Sequence, residues 1–308
     1  MKKALLIFNI LSGKGAIRQK IGEIIDLLIK NGYEVMAHAT QSKGDATRLT
    51  AERAGEFDLV VCCGGDGTLN ETISGMLESG LRIPIGYIPA GSTNDFASSL
   101  NLPRGIMKAA EVAVTGTPFS CDIGSFNGKS FVYAAAFGMF SDISYRTKQE
   151  WKNVIGHAAY LVESSKEFGG LSVGMYPSIE LSVSVNGEEL EDTFVYGMIT
   201  NSISIGGIRD ITGKDVKLDD GLLEVTLVRR PKNQFLFAEI IATLTNLQKD
   251  SQYIYTCKAR EIVLRAKEPV SWTLDGEFGG ECTETKIQCL EHAVDINRIS
   301  SSKSSNSS

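Results

Sequence analysis

The 308-residue sequence predicts an α/β domain built on a parallel sheet, followed by a β-rich, antiparallel, sandwich-like domain. Three observations carry this prediction. Apolar strand-like runs alternate with amphipathic helical patterns through the first third of the chain, as parallel sheets covered by helices require. After about residue 126 the apolar period shortens to two, the signature of half-buried antiparallel strands. The length also exceeds the ~100 to 200 residues of one ordinary domain.

The elements follow in order. Residues 4–8 read as a strand, and Ile17, Ile21, Ile24, Ile25 and Leu28 recur at helical spacing until Asn31-Gly32 stops the helix. Tyr33, Val35, Ala37 and Ala39 alternate as a second strand, Asp45 to Arg53 suit a helix, and Leu59 to Cys63 form the continuous apolar run of a central parallel strand. A helix from Thr68, a strand over Ile85 to Ile88, and helices over Thr93 to Leu100 and Gly105 to Val114 complete the first domain. In the second, Ser178 to Val185, the Asn186-Gly187 turn and Phe194 to Thr200 read as a hairpin. Strands follow at Leu222 to Val228, Glu261 to Arg265, Val270 to Leu274 and Lys286 to Leu290. Helices near 153–168 and 233–248 interrupt them. The latter carries Phe237, Ile240, Ile241, Leu244 and Leu247 on one face, which suits packing on a sheet or facing lipid. The domains are expected at 1–126 and 127–292, with a disordered serine-rich tail at 300–308.

Composition excludes several classes. A net charge of -6 argues against broad nucleic-acid binding, which needs a Lys/Arg excess. The basic start and short apolar run at 4–11 look like a secretory leader, but Asn9 interrupts the run and no small-x-small cleavage site closes it. No stretch reaches the ~18 to 20 apolar residues of a membrane span, so membrane contact is expected to be peripheral. Six cysteines include no CxxC pair and no histidine at zinc spacing, which fits free thiols in a reducing cytoplasm. His38, His157 and His292 form no triad-like motif. Aromatic and methionine residues at 131–140, among them Met139 and Phe140, suit a core or an acyl-chain pocket.

The sharpest motif is Gly64-Gly65-Asp66-Gly67-Thr68-Leu69-Asn70-Glu71, between an apolar strand and a helix. Ligands bind at such carboxyl ends of parallel strands. The glycines let backbone approach phosphate oxygens, and the helix start offers unpaired N–H groups. Asp66 suits Mg²⁺ or the orienting of a donor. Lys14, in a Gly-Lys-Gly turn, suits a phosphate contact or a solvated surface. Thr93 and Asn94 suit donors to a nucleotide or a helix cap before Asp95. Asp275 and Glu277, read as a strand, share one face; read as Asp-Gly-Glu alone, they suit a surface turn.

These motifs resemble the diacylglycerol kinase catalytic domain family, which includes sphingosine and ceramide kinases and bacterial lipid kinases. Gly64 to Glu71 is similar to its nucleotide signature. Asn9-Ile10-Leu11-Ser12-Gly13-Lys14-Gly15 resembles the first nucleotide loop, with Ile10 where the family usually has proline. Thr40 with Gly44-Asp45-Ala46, Pro89-Ala90-Gly91-Ser92-Thr93-Asn94-Asp95-Phe96-Ala97, Cys121-Asp122-Ile123-Gly124 and Leu274-Asp275-Gly276-Glu277 match further motifs in order.

The resemblance implies an ATP- and Mg²⁺-dependent lipid kinase with its active site in a cleft between the domains. ATP would lie along Asn9, Ser12, Gly13, Lys14, Thr40, Gly64, Gly65, Asp66, Gly67, Thr68, Asn70, Glu71, Gly91, Thr93 and Asn94. Glu277 is the implied general base, Asp275 organises metal or nucleophile, and Asp66 and Asp122 line the cleft. A structural Mg²⁺ is implied at the Asp220 carboxylate with main-chain carbonyls of Lys217 and Leu222, and the last strand near 293–297 is implied to return to the first domain. The acceptor is a lipid hydroxyl at the membrane surface, with diacylglycerol leading, on a cytoplasmic protein that meets the membrane peripherally during turnover. A homodimer is compatible with the sequence. The rivals are an NAD kinase, which usually adds an Asn-Thr-Asp-Gly segment absent here, and a non-catalytic nucleotide-binding regulator.

Overall fold

Continuous apolar segments become the inner strands of a parallel sheet. The computed structural model describes residues 1–138, 178–205, 208–209, 216–231 and 252–299, with the side chains of 13–14, 204–205 and 208–209 excepted. Two compact units emerge, one from residues 1–123 with 291–308 and one from 124–290.

In the first unit, β1 (Lys2–Phe8), α1 (Ala16–Lys30), β2 (Tyr33–Ala39), α2 (Asp45–Arg53), β3 (Leu59–Gly64), α3 (Asp66–Ser79) and β4 (Ile85–Pro89) alternate. Short α4 (Asp95–Ser99) and α5 (Ile106–Thr115) follow. The strands pair in parallel in the order β2-β1-β3-β4. Every residue of β3 is buried, and α1 turns Ile17, Ile24 and Leu28 onto the sheet. Burial pushes the Cys62 thiol up to about 12 and raises Cys63 as well, so both act as small apolar groups. All six cysteines are free thiols.

Two helix starts differ from expectation. α3 begins at Asp66 rather than Thr68, because extended Gly65 serves as its cap. α4 begins at Asp95 rather than Thr93, because Asn94 takes a left-handed conformation with φ 51°.

The second unit is antiparallel. β5 (Thr117–Phe126) leads into it, followed by β6 (Lys129–Phe131), β7 (Ala134–Gly138), β8 (Ile179–Val185) and β9 (Glu188–Thr200). A minimal pair, β10 (Ser204–Ile205) with β11 (Ile208–Arg209), precedes β12 (Leu223–Arg229), β13 (Ile254–Ala259), β14 (Glu261–Leu274) and β15 (Glu277–Arg298). β9 pairs with β8 through its first half and with β7 and β12 through its second. β14 likewise pairs first with β8 and then with β7. Each long strand therefore changes neighbours along its length, and in β14 the change coincides with the register slip between Arg265 and Val270. Glu261 to Arg265 and Val270 to Leu274, expected as two strands, are thus one bent strand.

Trp272 anchors the enclosed core, with ring centroids 5.0 Å from Phe126 and 4.8 Å from Phe137. Phe137 lies flush on Gly197, where an added Cβ would come within 2.1 Å of the ring. The helices expected near 153–168 and 233–248, together with Met139, Phe140, His157 and the serine-rich tail, lie outside the described residues. Among the described residues no helix is long and apolar enough to cross a membrane.

The carboxyl end of β15 belongs to the first unit, where Ile296 pairs in parallel with Ile85 of β4. Polar contacts fix it there. Asp295 accepts from Arg82 at 2.6 Å and Ser120 at 2.7 Å, and Asn297 donates to the Ala113 carbonyl at 2.7 Å.

Candidate active site

The loops that follow β1, β2, β3 and β4 all leave the carboxyl ends of adjacent parallel strands, where open α/β sheets hold ligands. Asn9 opens the first loop, its N–H bonded to the Cys63 carbonyl at 3.0 Å and its Oδ1 accepting the Leu11 N–H at 3.0 Å. A 3₁₀ turn over Ser12–Gly15 follows, and Gly15, at φ 81°, turns the chain into α1. Lys14's side chain lies outside the described residues.

The second loop holds Thr40, whose N–H bonds the Phe8 carbonyl at 3.0 Å. Its far end is tied to α3. Glu71 accepts the N–H groups of Gly44 at 2.8 Å and Ala46 at 3.2 Å, so this carboxylate fastens the start of α2. Asp45 beside it meets His38 at 2.9 Å, the Gln41 N–H at 3.0 Å and Arg48 at 2.8 Å. The His38 bond, then the Gln41 N–H, hold its carboxyl down at about 2 against the opposing effect of burial, with Arg48 assisting.

The loops after β3 and β4 press backbone on backbone. A Cβ added to Gly91 would lie 2.7 Å from the Gly65 Cα, and one added to Gly65 would lie 3.2 Å from the Gly91 Cα. Under the same turn, a Cβ on Gly64 would strike the Thr68 side chain at 2.5 Å, so Thr68 fills the floor. Ala90 donates to the Gly64 carbonyl at 2.8 Å, and the Thr93 hydroxyl donates to Asp66 Oδ2 at 3.1 Å. Asn94 closes a ring on Gly91, accepting its N–H at 2.8 Å and donating to its carbonyl at 2.9 Å. Asn94 therefore braces the loop, and Asn70 accepts from Ser74 within α3 at 3.1 Å. The result is a pair of glycine-rich loops packed against each other, with Asp66 at the head of a 14-residue helix, an arrangement suited to a polyphosphate and its cation.

Asp122 is fully buried and accepts the His292 N–H at 2.7 Å, while His292 itself has φ 50°. Its carboxylate secures a bend of the chain instead of facing solvent.

In the second unit, Asp275 and Glu277 do not share a strand face as expected. Asp275 and Gly276 form a tight turn with φ 47° and 83°, closed by the Leu274–Glu277 pair. Asp-Gly favours such a turn because both central residues must be left-handed. The Asp275 carboxylate accepts three N–H groups, from Val132 at 2.6 Å, Tyr133 at 2.9 Å and Ala134 at 3.0 Å. Glu277 is exposed at the head of β15, next to Phe278, which is 68% exposed.

The Asp220 region also departs from expectation. Asp220 Oδ1 accepts the Leu222 N–H at 3.2 Å, and Oδ2 meets the Lys258 ammonium at 3.0 Å. Lys258 also reaches Glu224 at 3.2 Å, and burial pushes Glu224 up to about 7 despite the ammonium. The donor set implied for Mg²⁺ does not fit, because both oxygens of its one carboxylate are engaged, Oδ2 by the Lys258 cation and Oδ1 by a backbone N–H. Sequence reasoning missed Lys258 because it lies 38 residues from Asp220 and no local pattern joins them.

Two family descriptions match the chain. Residues 3–126 match the diacylglycerol kinase catalytic domain, and residues 142–297 match the YegS C-terminal NAD kinase beta sandwich-like domain. A diacylglycerol kinase of Bacillus subtilis (strain 168) is 32% identical over 298 residues, covering 95% of each chain. One from Staphylococcus carnosus (strain TM300) is 30% identical, covering 94% of each. A crystal structure of a candidate diacylglycerol kinase from Bacillus anthracis str. Sterne superposes with a TM-score of 0.76 at 26% identity, over 96% of this chain and 97% of that one. Matched along both units and aligned with these relatives nearly from end to end, the chain belongs to the diacylglycerol kinase catalytic domain family, a family of lipid kinases.

Proposed function

We propose that this protein transfers the γ-phosphoryl group of ATP to a lipid hydroxyl, with diacylglycerol as the leading acceptor. The observation that carries the reading is the Gly65–Gly91 backbone contact beside Asp66, which sets the loops after β3 and β4 against each other at the start of α3. Names of relatives aligned over 95% of the chain support the choice of acceptor.

Phosphoryl transfer rests on positioned phosphates, neutralised charge and a group that takes the hydroxyl proton. Backbone N–H groups at the head of α3 and in the Asn9 to Gly15 loop hold the phosphates. Asp66, steadied by Thr93, is the carboxylate that would hold Mg²⁺, and the bound ion supplies neutralisation of phosphate charge. Glu71 and Asn94 act as positioning residues, since each bonds to loop backbone. Glu277, exposed at the head of its strand, accepts the proton of the attacking hydroxyl. Asp275 holds the turn that presents it. The lipid is met peripherally, at the cytoplasmic membrane surface.

The test is transfer of label from γ-labelled ATP into a panel of lipids in mixed micelles, with NAD alongside, in the presence and absence of Mg²⁺. Mg²⁺-dependent label in diacylglycerol upholds the proposal. Label in another lipid changes the acceptor, and label only in NAD overturns the lipid reading.

A further inference from the structure

One corner of the second unit carries a charge arrangement that phosphoryl transfer does not use. In the sheet register Glu224 of β12 lies opposite Lys258 of β13 on one side and Thr200 of β9 on the other. Glu224 is 6% exposed. A carboxylate so placed is unfavourable unless an opposite charge or a proton accompanies it. The Lys258 ammonium stands 3.2 Å from Glu224 and 3.0 Å from Asp220, so one cation answers two carboxylates. Burial works against that ammonium, but the Asp220 bond and the Glu224 charge outweigh it and raise its pKa.

Geometry fixes the consequence. Asp220 belongs to the 216–222 connection, and Lys258 reaches it from a strand 38 residues further along. The ion pair thus pins a turn onto β12 and β13. A divalent ion on Asp220 would meet the ammonium across the same carboxylate, where partial burial leaves their repulsion poorly screened.

We propose that Lys258 is a built-in cation that holds the 216–222 turn in place of a divalent ion, so that the second unit keeps its stability without Mg²⁺ at Asp220. The proposal concerns the fold and is independent of the catalytic reading.

Thermal unfolding of the nucleotide-free full chain tests it, with melts in EDTA and in millimolar MgCl₂. The wild-type midpoint should be the same in both. Lys258→Met should melt about 5 °C lower in EDTA, and MgCl₂ should restore part of that loss. A wild-type rise in MgCl₂ that Asp220→Asn abolishes overturns the proposal; a rise that survives in Asp220→Asn comes from ions held elsewhere and upholds it. An unchanged Lys258→Met midpoint overturns it, as does a loss that MgCl₂ leaves untouched. Should Lys258→Met fail to fold, Lys258→Arg decides: Mg²⁺-insensitive melting upholds the built-in cation, and an Asp220-dependent Mg²⁺ response overturns it.

Discussion

Gly91 faces Gly65 across a gap that admits no side chain, since a methyl group on Gly91 would stand 2.7 Å from the Gly65 Cα. Backbone cannot swing aside as a side chain can, so Gly91→Ala should spread the two loops. We expect a loss of about 1 to 3 kcal/mol of stability and a larger loss of ATP affinity. Gly65→Ala, with 3.2 Å available, should be milder in both. Equal effects of the two variants on melting and nucleotide titration would contradict the proposed contact.

Asp66→Ala should retain its fold and lose most turnover, because the carboxylate beside the phosphate loop is gone. Thr93→Val removes only the hydroxyl that donates to it at 3.1 Å. Hydrogen bonds to charged groups are worth about 1.5 to 3 kcal/mol, so a fall in kcat/KM of about 10- to 100-fold is expected. Steady-state kinetics over ATP and lipid would show whether that order holds.

Asp275 and Glu277 should separate cleanly. Glu277→Gln should melt like the wild type and bind ATP, yet transfer about 10² to 10⁴ times more slowly. Asp275→Asn should lose stability, about 2 to 4 kcal/mol, because its amide offers one acceptor oxygen to three N–H donors. Denaturant melts paired with the transfer assay distinguish the two. An unfolding midpoint unchanged in Asp275→Asn would mean that the turn holds without its carboxylate.

Acid sensitivity should be traceable to Asp45. Its carboxyl is held at about 2 against an ordinary 3.8, chiefly by His38 and the Gln41 N–H. A folded-state value below the unfolded one contributes stability that is full above about 4 and lost as pH falls from there toward 2. Asp45→Asn should therefore cost about 2 kcal/mol at neutral pH and flatten the stability curve over that acid window. Urea titrations from pH 2 to 6 on both proteins provide the comparison.

Parallel and antiparallel halves differed in how plainly they could be read. Leu59 to Cys63 is buried on both faces and therefore reads as an unbroken apolar run, which is why β3 and its neighbours were legible. β7, in contrast, is Ala134–Gly138, too short and uniform to alternate, and β13 is partly buried along most of its length. Neither announces itself. The glycines at 64, 65 and 91 were legible as a motif, but their mutual contact joins two loops and has no local signature. The Asp-Gly turn signal at 275–276 was present, and reading the two acids as strand neighbours misplaced Asp275. Lys258 was beyond reach, because its partners are assembled only by strand pairing.

The pairing of Ile296 with Ile85 has a consequence for synthesis on the ribosome. β4 emerges early, soon after its partner β3, but its other neighbour is encoded more than 200 residues later, at the far end of β15. Until then the nascent sheet carries an open edge, the kind of surface that recruits foreign strands. A ribosome stalled anywhere within the second unit would therefore display a first unit that lacks its closing strand.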